Sequence, residues 1–283
     1  MTSYDASAPS AAVAVRRGPD SVKVYPLRDM STMLRRNIKN QLRDKVAVFA
    51  IIGIPVLFLL LFNYVFGGAL KGSVTIAGSH NYVDYLLPGL IIMTAASQLI
   101  GTSTSTSVDM TGGIFNRFRT MAIYAPSILI ARVLSSVIQA LASMAVVFGI
   151  AFLMGLSPTA TPLRWIAVAA FLAYVSFTLC WLGLAFGLAA KTVASASNGP
   201  FPLVLLPLIG SGVVAVKSMS VGVRYFAEYQ PFTPMIDTLR GLLFGTPIGT
   251  SALTALAWST GIGVLGVAWS IKAFNRERPE RPS

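Results

Sequence analysis

The stretch VAVFAIIGIPVLFLLLFNYVF, residues 46–66, decides the fold class of this chain. It contains no Asp, Glu, Lys, Arg or His over 21 residues. About 20 apolar residues in a helix cross the roughly 30 Å hydrocarbon core of a bilayer. We therefore expect a membrane-spanning helix here. The stretch is too long, and begins too late, for the core of a signal peptide, so we expect it to be retained.

The rest of the chain repeats this pattern. Of its 283 residues, 54% are hydrophobic and 11% charged, against about 25% charged in soluble domains. The sequence predicts an all-α polytopic membrane protein with six transmembrane helices. The fifth stretch contains Pro202, Pro207, Gly210 and Gly212, which predict a short and broken helix. After Val46 to Phe66, the apolar stretches are Tyr85 to Val108, Val133 to Leu156, Trp165 to Ala190, Phe201 to Val216 and Ala252 to Ile271.

Charged side chains lie outside all six stretches. One Asp, Lys or Arg at the centre of a spanning helix costs about 2.5 to 3.5 kcal/mol on the insertion scale. Proton-driven pumps usually carry intramembrane carboxylates or histidines as a relay, whereas the single histidine, His80, lies in a polar loop. We therefore expect the energy for any transport to enter elsewhere.

The distribution of Lys and Arg predicts the orientation. With six spans and both termini cytoplasmic, 17 of the 22 basic residues face the cytoplasm, as the positive-inside rule requires. Five spans would place the basic tail outside. The net charge of +12 is then mostly an inside-facing collar that attracts lipid headgroups, which we favour over nucleic-acid binding. The five basic residues left outside are Lys71, Arg164, Lys217, Arg224 and Arg240.

The segment before the first span divides in two. Residues 1–26 are rich in Ala, Ser and Pro and are predicted to be a disordered cytoplasmic arm. Residues 27–45 show apolar side chains at helical spacing and predict a basic amphipathic helix in the headgroup layer. A solvated charged linker is the alternative. The predicted membrane-surface residues are Arg35, Arg36, Lys39 and Arg43.

The second stretch ends in GTSTSTSVD, residues 101–109. Its hydroxyls Ser103, Ser105 and Ser107 are candidates for lining a hydrated path. The alternative, which we favour, is that they bond to backbone carbonyls or to neighbouring helices.

Between the second and third spans lies GGIFNRFRTMAIYAP, residues 112–126. Gly112 and Gly113 end the incoming helix. A short helix with exposed aromatic anchors and arginines fits a groove on a partner protein. A surface helix folded against the membrane is the alternative. Ile114, Phe118 and Met121 share one face, Phe115 lies beside them, and Arg117 and Arg119 point elsewhere.

The longer stretch GGIFNRFRTMAIYAPSILIAR resembles the cytoplasmic coupling loop of type-2 ATP-binding-cassette (ABC) permeases, particularly the daunorubicin/doxorubicin-resistance group of exporters. Ala122 departs from the family, where proline is frequent, and leaves the following turn less rigid. The resemblance implies ATPase-coupling roles for Gly113, Ile114, Phe115, Arg117, Phe118, Arg119 and Met121. The matching residues are Gly113, Phe115, Arg117, Phe118, Arg119, Thr120, Met121, Pro126, Ala131 and Arg132.

QPFTPMIDTLRGLLFG, residues 230–245, is similar to a segment on the outer face of the same family. Two prolines predict a bend, after which Met235 starts a short amphipathic helix. The resemblance implies an outer gate; a plain interfacial anchor is the alternative. The implied gate residues are Pro231, Thr233, Pro234, Asp237 and Arg240.

Enzymatic motifs are missing from the sequence. It contains no G-x-x-x-x-G-K-[ST] ATP-binding loop and no nucleophile, base and orienting group close together. Cys180 is the only cysteine, and no Cys/His cluster has metal-ligand spacing. We expect no catalytic residue, no metal and no cofactor on this chain, with ATP and Mg²⁺ bound by a partner.

Together these features predict one permease domain, residues 46–273, with a coupling loop at 109–126, an outer-face hairpin at 225–248 and a cytoplasmic tail at 274–283. The resemblance implies a bacterial plasma-membrane exporter of a drug or lipid, built from two permease chains, identical or different, and two cytoplasmic ABC ATPases. Membrane lipids are a further expected partner. An ATPase-independent secondary transporter or channel is the main alternative, and a membrane enzyme of lipid metabolism is a third.

Overall fold

The computed structural model describes residues 31, 33–39, 45–66, 82–112, 125–212 and 219–276, and every regular element in these ranges is a helix. Residues 33–39 are helical, as the amphipathic pattern predicts. The longer elements are α1 (Lys45–Leu61), a π-helical turn (Phe62–Phe66), α2 (Tyr82–Thr111), α3 (Ala125–Leu153), α4 (Pro162–Ala189), α5 (Val193–Asn198), α6 (Phe201–Ile209), α7 (Val221–Tyr229), α8 (Phe232–Phe244) and α9 (Ser251–Arg276).

Within the described residues, four helices are long and apolar enough to cross a membrane: Tyr82–Thr111, Ile128–Leu153, Pro162–Ala189 and Ser251–Asn275. Gly53–Val65 and Val193–Ile209 are shorter apolar helical segments. The prediction of an all-helical polytopic membrane protein is confirmed in this form. The long helices also extend beyond the apolar stretches from which they were predicted, so they include charged residues such as Asp84, Asp109 and Arg132.

Helices α2 and α4 pack in parallel at glycine contacts. A Cβ atom added at Gly183 would lie 2.8 Å from the Leu99 carbonyl oxygen, and one at Gly187 would lie 2.5 Å from that of Ser103. Such spacing leaves no room for a side chain, so the two backbones touch directly. Because residue numbers rise together on both helices, α2 and α4 run in the same direction.

Helix α9 packs on α4 in parallel too. The Tyr174 and Thr260 hydroxyl oxygens lie 2.7 Å apart, and the Phe186 and Trp269 ring centroids are 5.0 Å apart. The other side of α9 is exposed. In the most apolar stretch of 18 residues in this helix, only 17% of the residues are buried. In a membrane such a face meets lipid or another protein chain.

The fifth apolar stretch departs from its predicted bounds. Helix α6 ends at Ile209, and its apolar segment is extended at the other end by α5. Ser103 of α2 donates a hydrogen bond of 2.7 Å to the Ala196 carbonyl of α5. A Cβ at Gly212, just after α6, would lie 3.1 Å from the Gly89 Cα of α2. The segment from α5 to residue 212 therefore runs antiparallel along α2.

The core forms around α2, which is buried along most of its length. Helix α8 enters the same core, with the side chains of Met235, Ile236, Leu239 and Leu243 fully buried. It is therefore an integral layer of the bundle.

Candidate outer gate and coupling region

The turn between α7 and α8 is held by side-chain hydrogen bonds. Gln230 Nε2 donates to Thr233 Oγ1 at 3.1 Å, and Thr233 Oγ1 donates to the Ala227 carbonyl at 2.6 Å. Pro231 occupies the N-cap position. Helix α8 begins at Phe232, three residues before the predicted start at Met235. Pro234 is tolerated inside the first helical turn because amides there lack intrahelical acceptors.

Asp237 and Arg240 form an ion pair one turn apart on α8. Arg240 Nη1 lies 2.8 Å from Asp237 Oδ1, and Ser211 Oγ donates to the same carboxylate oxygen at 2.7 Å. Arg240 Nη2 donates to the Ser211 carbonyl at 2.6 Å. The two charges therefore neutralise each other while fixing the 210–212 turn against α8.

The guanidinium of Arg240 also reaches α2. Its Nη2 atom donates to the Tyr85 carbonyl at 3.3 Å, and its Cζ atom lies 4.3 Å from the Tyr85 ring centroid. Arginine combines planar hydrogen bonding with stacking on an aromatic face in a way that lysine does not. One side chain thus joins α8, the 210–212 turn and the start of α2.

Three further hydrogen bonds tie the same end of the bundle. Ser157 donates from its amide and from its hydroxyl to the Asp84 carboxylate, at 3.2 and 3.1 Å. The Thr159 amide donates to the Leu243 carbonyl at 3.1 Å. The loop from α3 to α4 is therefore pinned both to α2 and to α8. Asp84 directly precedes the predicted second span, and its side chain is fully buried.

The predicted gate residues are thus brought together at one end of the bundle. Tyr85, Ser211 and Asp84 join them and were missed. Hydropathy singles out none of the three, because Tyr85 and Ser211 lie within predicted spans and Asp84 directly precedes one. One signal was present in the sequence, since a charged and an aromatic residue, Asp84 and Tyr85, stand side by side where the second apolar stretch begins.

The three candidate path serines have separate environments. Ser103 bonds to Ala196, as described above, and Ser105 Oγ donates to the Thr102 carbonyl at 3.1 Å. Ser107 is buried, and its hydroxyl has no hydrogen-bond partner within the described part of the chain. Bonds to backbone carbonyls match the structural alternative for two of the three, whereas a path-lining role for Ser107 stays a prediction.

The coupling residues Gly113, Ile114, Phe115, Arg117, Phe118, Arg119 and Met121 lie outside the described residues. The structure does describe their two attachments. Helix α2 ends at Thr111, followed by a turn at Gly112, and α3 begins at Ala125. Asp109 of α2 forms an ion pair with Arg132 of α3.

The membrane-surface residues are described in part. Arg35 and Lys39 are exposed, and Arg36 is half-buried on the helical segment 33–39. Asn37 of this segment is buried, so one side packs against the protein while basic residues remain accessible. Arg43 lies outside the described residues.

A comparison with known families covers both the gate and the coupling region. Residues 28–244 match the family described as ABC-2 type transporter. This chain belongs to the ABC-2 type transporter family. It is a membrane permease subunit, and the predicted membership of this family is confirmed.

Named relatives of this permease are bacterial. It is 27% identical over 203 residues to a daunorubicin resistance ABC transporter permease protein of Streptomyces coeruleorubidus, which covers 71% of this chain and 70% of the relative. It is 26% identical over 272 residues to a probable doxorubicin resistance ABC transporter permease protein found in two strains of Mycobacterium tuberculosis, covering 89% of this chain and 91% of the relative.

Proposed function

We propose that this permease forms the membrane path of an exporter that moves a hydrophobic or amphiphilic compound out of a bacterial cell. A separate cytoplasmic ABC ATPase binds ATP and Mg²⁺ and supplies the work. The proposal is carried by α2, a single helix of 30 residues, about 45 Å long. One end contacts the candidate gate through Tyr85, and the other leads into the predicted coupling segment.

Motion of the coupling segment can reach the gate through this helix. ATPase closure pushes residues 113–121, and α2 tilts as a rigid body together with α3. Rigid-body shifts of packed helices are a common route by which a small displacement is amplified. At the other end, α2 carries the carbonyl and ring that hold Arg240, so tilting separates α8 from its support and opens an exit.

The helix directions support six crossings with both termini in the cytoplasm. Helices α4 and α9 run in parallel, so the chain between them must return to the side from which α4 started. The segment from Ala196 to Gly212 follows α2 from Ser103 to Gly89, about 21 Å at the helical rise. Together with the residues on either side, this broken segment serves as the fifth crossing.

The assembly follows from the family and from the exposed helix faces. We propose two permease chains, identical or different, with two ATPase subunits, and a translocation path between the permeases. The exposed apolar sides of α9 and α3 supply surface for lipid and for the second permease. In the most apolar stretch of 18 residues in α3, 39% of the residues are buried.

The cargo class follows from the relatives' names and from the character of the helices. Daunorubicin and doxorubicin resistance are functions of the relatives, and similar amphiphiles, including cell-envelope lipids, are the proposed cargo here. An ATPase-independent secondary transporter or channel is the alternative. The buried carboxylate of Asp84 and the half-buried carboxylate of Asp109 both have bonded partners, which favours the ATPase-driven function.

The test is transport in inverted membrane vesicles that contain this permease and a candidate cytoplasmic ABC ATPase, sought first among reading frames beside the permease gene that carry an ATP-binding loop and no membrane span. Doxorubicin serves as the fluorescent probe. We expect uptake that requires ATP, the permease and the ATPase together. Uptake by the permease alone, driven by an ion gradient, would support the secondary transporter.

A further inference from the structure

The ion pair between Asp109 and Arg132 joins the two helices that flank the predicted coupling segment. Arg132 Nη2 contacts Asp109 Oδ2, and the side chains of Arg132 and Asp109 are only 8% and 17% exposed. Asp109 lies in the last turn of α2, and Arg132 lies on the second turn of α3. The pair therefore crosses from one attachment of the segment to the other.

Local helix preferences do not account for these charges. A carboxylate in the last turn of a helix is repelled by the negative end of the helix dipole. Both side chains are also largely removed from water, which is unfavourable for an ion without a partner. Asp109 is thus stabilised at this position by the arginine of the neighbouring helix, and the contact depends on both helix ends staying together.

The helical segment 33–39 meets the same junction. Arg36 of this segment lies near enough to Arg132 for the two positive charges to repel each other, and Asn37 of the same segment is buried. Three elements therefore converge here: the surface segment, the end of α2 and the beginning of α3. Asp109 supplies the negative charge that pairs with Arg132 at this junction.

We propose that the Asp109–Arg132 pair is a positioning link that makes α2 and α3 move as one unit when the segment between them is pushed. The link acts on the coupling of ATP hydrolysis to transport, and it does not bind the ATPase. It rests on the proposed function, because a coupling role requires a partner ATPase. The exposed pair Arg224–Glu228 within α7 provides a contrast, since it joins residues of one helix only.

The test uses Asp109→Asn, Arg132→Gln and the charge-swapped chain D109R/R132D, each co-expressed with the ATPase. Three quantities are measured: ATPase co-purification, ATP hydrolysis and ATP-driven doxorubicin uptake into inverted vesicles. We expect each single variant to retain the ATPase and its hydrolysis while the uptake per ATP falls about tenfold, a loss within the usual range of coupling energies. The charge-swapped chain should recover most of that ratio. Glu228→Gln should leave all three quantities unchanged.

The outcomes separate this inference from the proposed function. If the unsubstituted permease neither binds the ATPase nor transports, the proposed function fails. If it does both and Asp109→Asn transports as many molecules per ATP, the positioning link is wrong. Should the single variants fail to accumulate in the membrane, the charge-swapped chain decides the matter. If the charge-swapped chain accumulates and transports, the link is supported. If it does neither while the Asp109→Glu chain behaves normally, the link is overturned.

Discussion

Arg240 of α8 lies over the ring of Tyr85 of α2, with its Cζ atom 4.3 Å from the ring centroid. The same guanidinium contacts the Asp237 carboxylate and the Ser211 carbonyl. Two helices and one turn thus meet at a single side chain. A displacement of α2 therefore changes the contacts that hold α8.

Replacing Arg240 with lysine tests this contact. Arg240→Lys keeps the charge near Asp237 but loses the planar fork that bonds to Tyr85 and Ser211. We expect a loss of about 1 to 2 kcal/mol in stability and a lower rate of ATP-driven doxorubicin uptake. The measurement combines thermal unfolding in detergent with the vesicle assay.

Arg224→Lys is the matched control, because Arg224 bonds to Glu228 on the exposed side of α7. Exposed pairs of this kind contribute roughly 0 to 1 kcal/mol, so little change is expected. Equal losses of stability and uptake in Arg240→Lys and Arg224→Lys would show that the contacts of Arg240 with α2 contribute no more than an exposed ion pair.

The glycine contact between α2 and α4 gives a second prediction. A Cβ at Gly187 would lie 2.5 Å from the Ser103 carbonyl oxygen and 2.7 Å from Thr106 Cβ. Gly187→Ala must push the helices apart, at a cost of about 1 to 3 kcal/mol. We expect a lower unfolding temperature than for Gly261→Ala on α9, where a Cβ would meet nothing within 4 Å. A Gly187→Ala chain as stable as the Gly261→Ala chain would contradict the packing.

Gln98 gives a third prediction, concerning polarity in the core. Its side chain is fully buried, and neither amide atom has a hydrogen-bond partner in the described residues. Burying an amide without a partner costs about 1 to 3 kcal/mol in proteins. We expect Gln98→Leu to raise the unfolding temperature in detergent. Thr94→Val is the comparison, since Thr94 Oγ1 donates to the Leu90 carbonyl at 2.8 Å. A drop in stability for Gln98→Leu would mean that the amide makes a stabilising contact.

The coupling segment gives a fourth prediction. We expect Arg117→Ala with Phe118→Ala to abolish co-purification of the ATPase while membrane insertion stays normal, because these side chains are the proposed anchors. The matched control removes the same residue types from α7, where Arg224 and Phe226 are exposed. Co-purification should survive in Arg224→Ala with Phe226→Ala. If the ATPase still co-purifies with the chain that carries Arg117→Ala and Phe118→Ala, the assignment of the coupling segment is wrong.

Hydropathy predicts the long helices well but misplaces their ends. An apolar window stops at a charge, whereas the helix continues when the charge finds a partner in the folded chain. Asp84 is bonded by Ser157, and Asp109 by Arg132. In both pairs the partner is distant in the sequence, so no local sequence pattern predicts the contact.

The fifth apolar segment and the candidate gate also differ from their sequence predictions, and the reasons are related. Proline and glycine correctly predict a short helix, but the addition of α5 upstream depends on its contact with Ser103. The burial of α8 depends on packing against α2, α4 and α9, and an amphipathic pattern alone fits a surface helix equally well. The count of basic residues predicts that Arg240 lies on the outer side, but its bonds to the Tyr85 and Ser211 carbonyls cannot be read from the sequence.

The central claim is that work enters this permease through residues 113–121 on the cytoplasmic side. The most direct measurement is cysteine labelling with a membrane-impermeant maleimide, using Asn116→Cys in a chain whose Cys180 is replaced by alanine. Gly222→Cys on the exposed side of α7 serves as the outer reference. We predict that residue 116 reacts in inverted vesicles, is unreactive in intact cells and is protected when the ATPase is bound. Labelling of residue 116 from outside intact cells would contradict the account.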